Sequence, residues 1–192
     1  MKRIFLLGDS IRLGYDRYVR ENLAGKALVY WNEDNARFAQ YTLRYLHEWV
    51  KDQCDPEAID IVHWNNGLWE VGRFYGDEPL VSAEDYEKYL RRIIKRIRVV
   101  FPNAKICFAL STQVVEERYG NPDYFCRKNA DIEAYNAIAR AVMAEENIPV
   151  DDLYTVSAQM PLDWHNPDAT HFMPEGYQEL ARAVTAFLEE QM

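Results

Sequence analysis

The chain has 192 residues, 48% of them hydrophobic, which is enough apolar material for the core of a single domain spanning 1–192. Its net charge of -9 argues against a nucleic-acid partner, because binding to a phosphate backbone requires a basic face. The three cysteines stand far apart and lack metal-ligand spacing, which argues against a disulfide framework or a zinc cluster. We therefore expect no metal and no other cofactor.

The N-terminal residues give no sign of a targeting segment. Four apolar residues precede Gly8, too few for the core of a signal peptide, and no run approaches the length of a membrane span. Widely spaced cysteines also fit a reducing compartment. The expectation is a cytoplasmic protein without a membrane partner.

Strand and helix patterns alternate along the chain. Five short apolar runs, rich in isoleucine, valine and aromatic residues, predict buried strands at 3–7, 27–31, 59–64, 105–110 and 148–154. Helical periodicity predicts helices over 10–23, 37–52, 83–101, 132–142 and 174–188. Gly25 is placed to cap the end of the first helix. The alternation indicates a three-layer α/β/α fold with a five-stranded parallel, doubly wound (flavodoxin-like) sheet.

Polar segments follow the ends of the predicted strands. In a doubly wound sheet the ligand crevice lies beyond the carboxyl ends of the strands. The turn Gly8-Asp9-Ser10 directly follows the first strand, and the loops 65–81 and 111–128 follow the third and fourth. Asp168 and His171 stand on a loop after the fifth strand. All of these segments are therefore expected at one edge of the sheet.

Ser10 has three interpretations from its neighbours alone: a helix cap, part of a phosphate-binding turn, or a nucleophile. A serine hydroxyl becomes nucleophilic when a base takes its proton and a third group fixes the tautomer of that base. Of the four histidines, His47 lies mid-helix and is expected at the surface or its boundary, and His63 lies inside a strand and is expected to be structural. His171 follows Asp168 by three residues, and this segment fits equally well as a catalytic pair or as an aspartate-rich turn before a helix.

Taken together, "GDS" after the first strand and "DATH" before the last helix resemble the GDSL hydrolases, also called the SGNH family. The segment "HFMPEGYQELARAV" is also similar to the family's usual start of the last helix. The resemblance spans the whole chain and implies Ser10 as the nucleophile, with its backbone N–H in the oxyanion hole. It implies His171 as the general base and Asp168 as the group that orients His171. Asp9 is expected to hold the nucleophile turn through backbone hydrogen bonds.

Two further segments depart from the family pattern. The second family segment supplies a backbone N–H from a glycine after the second strand, but "WNEDNARFAQYT" contains no glycine. Asn35 is the best substitute, because asparagine tolerates a left-handed backbone. Asn35 fits equally well as the N-cap of the following helix.

The third family segment, usually Gly-x-Asn-Asp, is represented here by "NNGLWE". If Gly67 aligns with the family glycine, Trp69 takes the place of the asparagine that donates to the oxyanion, and Glu70 that of the acid. Asn65 or Asn66 could supply the missing donor, and because successive strand side chains face opposite ways, one of them is expected to reach the site. We favour Asn66. The expected oxyanion-hole residues are thus Ser10, Asn35 and Asn66.

The resemblance implies a carboxylic ester hydrolase that forms an acyl-enzyme through a Ser-His-Asp triad. Aromatic residues on the crevice loops, among them Trp64, Trp69 and Trp164, suit a sugar, so the first choice of small-molecule substrate is a short-chain, acetyl ester on a carbohydrate. Lysophospholipase and thioesterase activities of the same family are alternatives. A rival from another class is a non-catalytic flavodoxin-like module that holds a phosphate at a helix N-terminus, but it leaves Asp168 and His171 unexplained.

Overall fold

The computed structural model describes residues 1–51 and 53–192. In chain order its strands are β1 Lys2–Leu7, β2 Ala27–Trp31, β3 Ile61–Trp64, β4 Arg73–Phe74, β5 Lys105–Ala109, β6 Phe125–Cys126 and β7 Val150–Asp151. All except β4 and β6 form one parallel sheet in the order β2-β1-β3-β5-β7. The chain therefore winds outward in both directions from β1, which confirms the predicted parallel, doubly wound sheet.

Helices cover both faces of this sheet. They are α1 Ser10–Asn22, α2 Ala39–Val50, α3 Ala83–Val100, α4 Asn129–Glu145, α5 Leu153–Ala158 and α6 Pro174–Gln191, with 3₁₀ turns at Pro56–Ala58, Glu116–Arg118 and Leu162–Trp164. Helix α6 packs against α1 and α5, while α3 packs against α2 and α4. These two groups are the outer layers of the predicted three-layer fold.

The core lies between the sheet and its helices. Ile4 to Leu7 of β1 are fully buried, as a strand covered on both faces requires. Ile4 pairs with Val29 on one side and Ile61 on the other, so the chain's first strand is an interior strand, between β2 and β3. Its carboxyl end, and the turn that follows it, therefore open into the crevice.

The fifth predicted strand, 148–154, is shorter than expected. Strand β7 ends at Asp151, and α5 starts two residues later. The cause is Asp152, whose side chain caps the helix by accepting the backbone N–H of Thr155 at 3.1 Å. The apolar run continues into α5, and periodicity over so short a stretch does not separate strand from helix.

A small antiparallel sheet, β4 paired with β6, joins the loops after β3 and β5. The sequence analysis did not predict it, because each strand has only two residues. Arg73 of β4 makes a bidentate ion pair with Asp131 at the start of α4, with N–O distances of 2.7 and 2.9 Å. This pair fixes the aromatic-rich β4–β6 ribbon to the main body above the crevice.

Within 1–51 and 53–192, no helix is both long enough and apolar enough to cross a lipid bilayer.

Candidate active site

The nucleophile turn, Gly8-Asp9-Ser10, consists of the two residues between β1 and α1 and the first residue of α1. Asp9 is the N-cap of α1, and its Oδ1 accepts the backbone N–H of Ile11 at 3.0 Å, which is the role expected of it. Ser10 is therefore the first residue of the helix, where backbone N–H groups have no intrahelical acceptor. A Cβ at Gly8 would stand 1.8 Å from Oδ1 of Asn65, so only glycine allows this close approach.

The acid–base loop before α6 is a tight turn built on Asp168. Its Oδ1 accepts the backbone N–H groups of Thr170 at 3.0 Å and His171 at 2.9 Å. Ala169 takes a left-handed backbone, with φ of 73°, to make this turn possible. The second carboxylate oxygen, Oδ2, lies 2.7 Å from Nδ1 of His171. One aspartate thus shapes the loop and orients the imidazole.

The structure brings Ser10, His171 and Asp168 together. Nε2 of His171 lies 2.8 Å from Oγ of Ser10, across 161 residues of sequence. The imidazole thus bridges the serine hydroxyl and the carboxylate with one ring nitrogen each, which is the geometry of a nucleophile, a base and an orienting acid. The His171 side chain is 35% exposed, so a small substrate can reach the pair from solvent.

The electrostatics of the two aspartates differ. Burial opposes ionisation of Asp168, but the hydrogen bonds from His171 and Thr170 outweigh it, so the pKa of Asp168 is lowered. Asp9 is fully buried, and burial raises its pKa despite the bond from Ile11 and the positive charge of Arg127. Asp168 is therefore the carboxylate held in its charged form, as stabilisation of an imidazolium requires.

Two arginines that the sequence analysis did not identify as functional hold the acid–base loop. The guanidinium of Arg118 donates to the backbone carbonyls of Leu162, His165 and Asn166. Arg127 is buried, and its Nη1 donates to Oγ1 of Thr170 at 3.1 Å. Neither contact has a local sequence signal, because each joins segments more than 40 residues apart.

The second segment, 32–38, differs from expectation. Its left-handed residue is Arg37, with φ of 49°, and not Asn35. Asn35 is also not the N-cap of α2, which starts at Ala39 after Phe38. The side chain of Asn35 instead accepts the backbone N–H of Arg37 at 2.9 Å. The left-handed backbone that the sequence analysis expected at Asn35 therefore occurs at Arg37.

In the third segment, 65–70, the two asparagines have the reverse of the expected positions relative to the nucleophile turn. The side chain of Asn66 accepts from Nε1 of Trp64 at 2.7 Å and donates to the carbonyl of Arg37 at 2.9 Å, which joins the third segment to the second. Asn66 is fully buried in these contacts. Asn65 is the side chain that touches the nucleophile turn, beside Gly8 and Asp9. One of the two asparagines faces the turn that carries Ser10, as expected, but it is Asn65 and not Asn66.

Glu70, the residue that an alignment of Gly67 with the family glycine would put at the acid position, makes structural contacts. Its Oε1 accepts the backbone N–H of Ala39 at 2.6 Å, so it caps α2 from a different part of the chain. Burial raises the pKa of Glu70 to about 7, although the bond from Ala39 favours the charged form. The neighbouring Trp69 turns towards Phe38, with ring centroids 5.3 Å apart in an edge-to-face contact.

The remaining histidines are separate from Ser10. His63 is buried in β3 and bonded to Asp151 at 3.0 Å, which confirms its structural assignment. His47 is half exposed on α2. Across the described parts of the chain, no three His, Cys, Asp or Glu side chains are grouped so as to hold a metal ion.

The sequence matches the model of the GDSL-like lipase/acylhydrolase family from residue 6 to residue 179. The chain therefore belongs to this family, which confirms the resemblance and makes the protein an ester-cleaving hydrolase by class. No curated protein matches the sequence closely enough to add a more specific assignment.

Solved structures of similar fold agree with this family. The chain is 21% identical to a lipase/acylhydrolase from Enterococcus faecalis, with a TM-score of 0.79, covering 100% of this chain and 97% of the other. It is 16% identical to the acetyl xylan esterase AlAXEase, with a TM-score of 0.73, covering 97% and 99%. A G-D-S-L family lipolytic protein from Veillonella parvula is 19% identical, with a TM-score of 0.68, covering 98% and 99%. At these identities the likeness shows the shared fold.

Proposed function

We propose that the protein is a serine carboxylic ester hydrolase in which Ser10 is the nucleophile, His171 the general base and Asp168 the orienting acid. The observation that carries the proposal is the chain of two contacts, 2.8 Å from Oγ of Ser10 to Nε2 of His171 and 2.7 Å from Nδ1 to Asp168. These distances lie within the range for proton transfer between positioned groups. The half-exposed imidazole leaves room for a substrate.

The reaction follows from these positions. Oγ of Ser10 attacks the ester carbonyl while Nε2 of His171 takes its proton, and Asp168 stabilises the resulting imidazolium. The backbone N–H of Ser10, at the N-terminus of α1, donates to the oxyanion. His171 returns the proton to the leaving alcohol oxygen as the carbon–oxygen bond breaks. Water, activated by the same nitrogen, then attacks the acyl-enzyme, releasing the acid and restoring Ser10.

The acyl group that we propose is short, acetyl in the simplest case. One similar structure is described as an acetyl xylan esterase, which supports an acetyl ester as the first substrate to test. The earlier expectation of a sugar rested partly on Trp64, but this residue is fully buried and packs edge to face on Phe108 in the core. The alcohol side of the ester therefore has to be inferred from the side chains that do line the crevice.

The test is labelling with a small fluorophosphonate, followed by intact mass. The expected result is one adduct on the wild-type protein, no adduct on Ser10→Ala, and strongly slowed labelling of His171→Ala. Hydrolysis of a simple acetate ester should be lost in the same variants. Folded wild-type protein that gives neither an adduct nor hydrolysis would contradict the proposal and favour a non-catalytic binding module.

A further inference from the structure

An apolar pocket of about 460 Å³ lies between the second and third segments and the β4–β6 ribbon. Five aromatic side chains line it: Phe38, Trp69, Phe74, Tyr124 and Phe125. Leu80 and Arg127 complete the lining. Its volume lies within the range of small-molecule sites, roughly 300–1,000 Å³.

Arg127 connects this pocket to the catalytic residues. Its guanidinium lines the pocket, and its Nη1 donates to Thr170, the residue before His171. Its Nε donates to the carbonyl of Leu68, next to Trp69, at 2.5 Å. The positive charge also acts on Asp9, the residue before Ser10. One lining residue of the pocket thus contacts the loop that carries His171 and acts electrostatically on the turn that carries Ser10, so the pocket adjoins both catalytic segments.

The pocket walls come from two separate parts of the chain. Phe38 and Trp69 form one wall, in edge-to-face contact. Phe74 and Phe125 of the β4–β6 ribbon form the other, with ring centroids 4.8 Å apart. Phe74 and Tyr124 are still 36% and 53% exposed, so apolar surface is available for a ligand to cover.

We propose that this pocket binds an aromatic ring carried by the alcohol side of the ester. The assignment of the ring to the alcohol side rests on the proposed function, in which the acyl group is short. Aromatic walls receive a flat ring in offset or edge-to-face contact, an arrangement that stabilises beyond simple burial. The guanidinium of Arg127, which already lies 4.9 Å over the ring of Phe125, meets the negative face of a second ring favourably.

Other alcohol groups fit these walls less well. A sugar would bring several hydroxyls to a pocket whose polar side-chain groups are the guanidinium of Arg127, the phenol of Tyr124 and the indole N–H of Trp69, leaving most hydroxyls without partners. An aliphatic chain would bury well but would remove water from the guanidinium without replacing the lost interaction. An aromatic ring packs against the apolar walls and also interacts favourably with the positive charge of Arg127.

The first experiment compares kcat/KM for esters of one acyl group: benzyl acetate, cyclohexylmethyl acetate, hexyl acetate and a peracetylated pyranoside. The acyl-enzyme is the same for all four, so differences report the alcohol side. We expect benzyl acetate to be preferred to cyclohexylmethyl acetate by about tenfold. Equal rates, or a preference for the pyranoside or the hexyl ester, would overturn the inference. Faster hydrolysis of ethyl phenylacetate than of benzyl acetate would overturn the alcohol-side assignment.

Two variants locate the effect. Phe74→Ala removes a wall residue that is partly exposed, and it should lower kcat/KM for benzyl acetate more than for cyclohexylmethyl acetate, so that the benzyl preference is lost. Tyr75→Ala is the matched control, because Tyr75 is an adjacent aromatic residue that is 79% exposed and outside the lining. Its benzyl preference should equal that of the wild type. A benzyl preference unaffected by Phe74→Ala would place the ring elsewhere and contradict the inference.

A binding measurement separates this inference from the proposed function. Ligand-observed NMR with Ser10→Ala protein should detect binding of benzyl alcohol, and adding Phe74→Ala should remove it. No binding of benzyl alcohol would overturn the inference even if the wild type is labelled by fluorophosphonate and cleaves acetates. Binding without labelling or turnover would keep the aromatic pocket and refute the hydrolase mechanism.

Discussion

Two histidine–aspartate pairs in the described residues have similar N–O distances but lie in very different places. His171 and Asp168 are 2.7 Å apart on a loop at the carboxyl edge of the sheet. His63 and Asp151 are 3.0 Å apart on strands β3 and β7, with side chains 0% and 6% exposed. The distance between ring and carboxylate therefore does not distinguish a catalytic pair from a structural one.

What differs is the free side of each imidazole. Nε2 of His171 contacts the hydroxyl of Ser10, at the start of a helix and open to solvent. The free nitrogen of His63, Nδ1, is buried and has no hydrogen-bond partner in the described residues. Its ring packs edge to face against Phe187. A histidine–aspartate pair becomes useful for catalysis when its second nitrogen faces a nucleophile that substrate can reach.

The largest expected effect comes from removing the base in the exposed pair. His171→Ala should lower kcat by about 10⁵-fold or more, because the serine then has no group to take its proton. KM should change far less, since the side chain contributes little to binding the ground state. Steady-state kinetics on an acetate ester measures both. A variant that keeps one-tenth of wild-type kcat would show that His171 is not the base.

Asp168→Asn should lower kcat by about 10⁴-fold with the loop intact, because an amide does not stabilise the imidazolium or fix its tautomer. The lowered pKa of Asp168 also determines in which direction the free energy of unfolding changes with pH. Its charged form stabilises the fold above about pH 4, and this contribution is lost as the pH falls through the lowered pKa. Urea unfolding should therefore show the stabilities of the wild type and the variant converging as the pH falls below about 4. A constant gap would contradict the assignment.

Substitution of Arg118 should have a smaller effect on kcat, because Arg118 positions the loop that carries His171 and Asp168. Arg118→Met removes the hydrogen bonds to three loop carbonyls and should lower kcat about ten- to a hundredfold, since a shift of about 1 Å in a catalytic group has such a cost. Arg118→Lys keeps the charge but not the fork of donors, and should recover only part of the loss. A variant with wild-type kcat and reduced stability would make Arg118 a structural residue alone.

The fold and the proposed triad were predicted from the sequence in different ways. Continuous apolar strands alternating with helical patterns are compatible with few folds, and the ends of the parallel strands then meet at one edge of the sheet. The roles of Ser10, Asp168 and His171 were implied by the resemblance of "GDS" and "DATH" to the family motifs, because the local sequence alone left other interpretations open. Local hydrogen bonds of Asp9 and Asp168 hold both turns, so each motif forms its turn from nearby residues.

The second and third segments were not accessible in this way. Nothing in the sequence shows that Arg37 takes the left-handed backbone, which is unusual for a residue with a long side chain. Its carbonyl is held by Asn66, 29 residues away, and the cap of α2 comes from Glu70, 31 residues beyond Ala39. Choosing between Asn65 and Asn66 required the exact end of β3, and strand ends are the least certain part of a sequence pattern. Contacts between loops, not local propensity, decide these roles.

The buried pair provides the smallest expected effect on activity and the sharpest test of the comparison. His63→Phe leaves Asp151 buried without its partner and should destabilise the fold by about 3 kcal/mol, measured by urea unfolding at neutral pH. His63→Gln keeps a donor for the carboxylate and should lose less. At temperatures where both variants are folded, kcat and fluorophosphonate labelling should equal those of the wild type. A specific loss of labelling in folded His63→Phe would mean that the two pairs are coupled through the sheet, because β1, which ends at the Ser10 turn, lies directly beside β3.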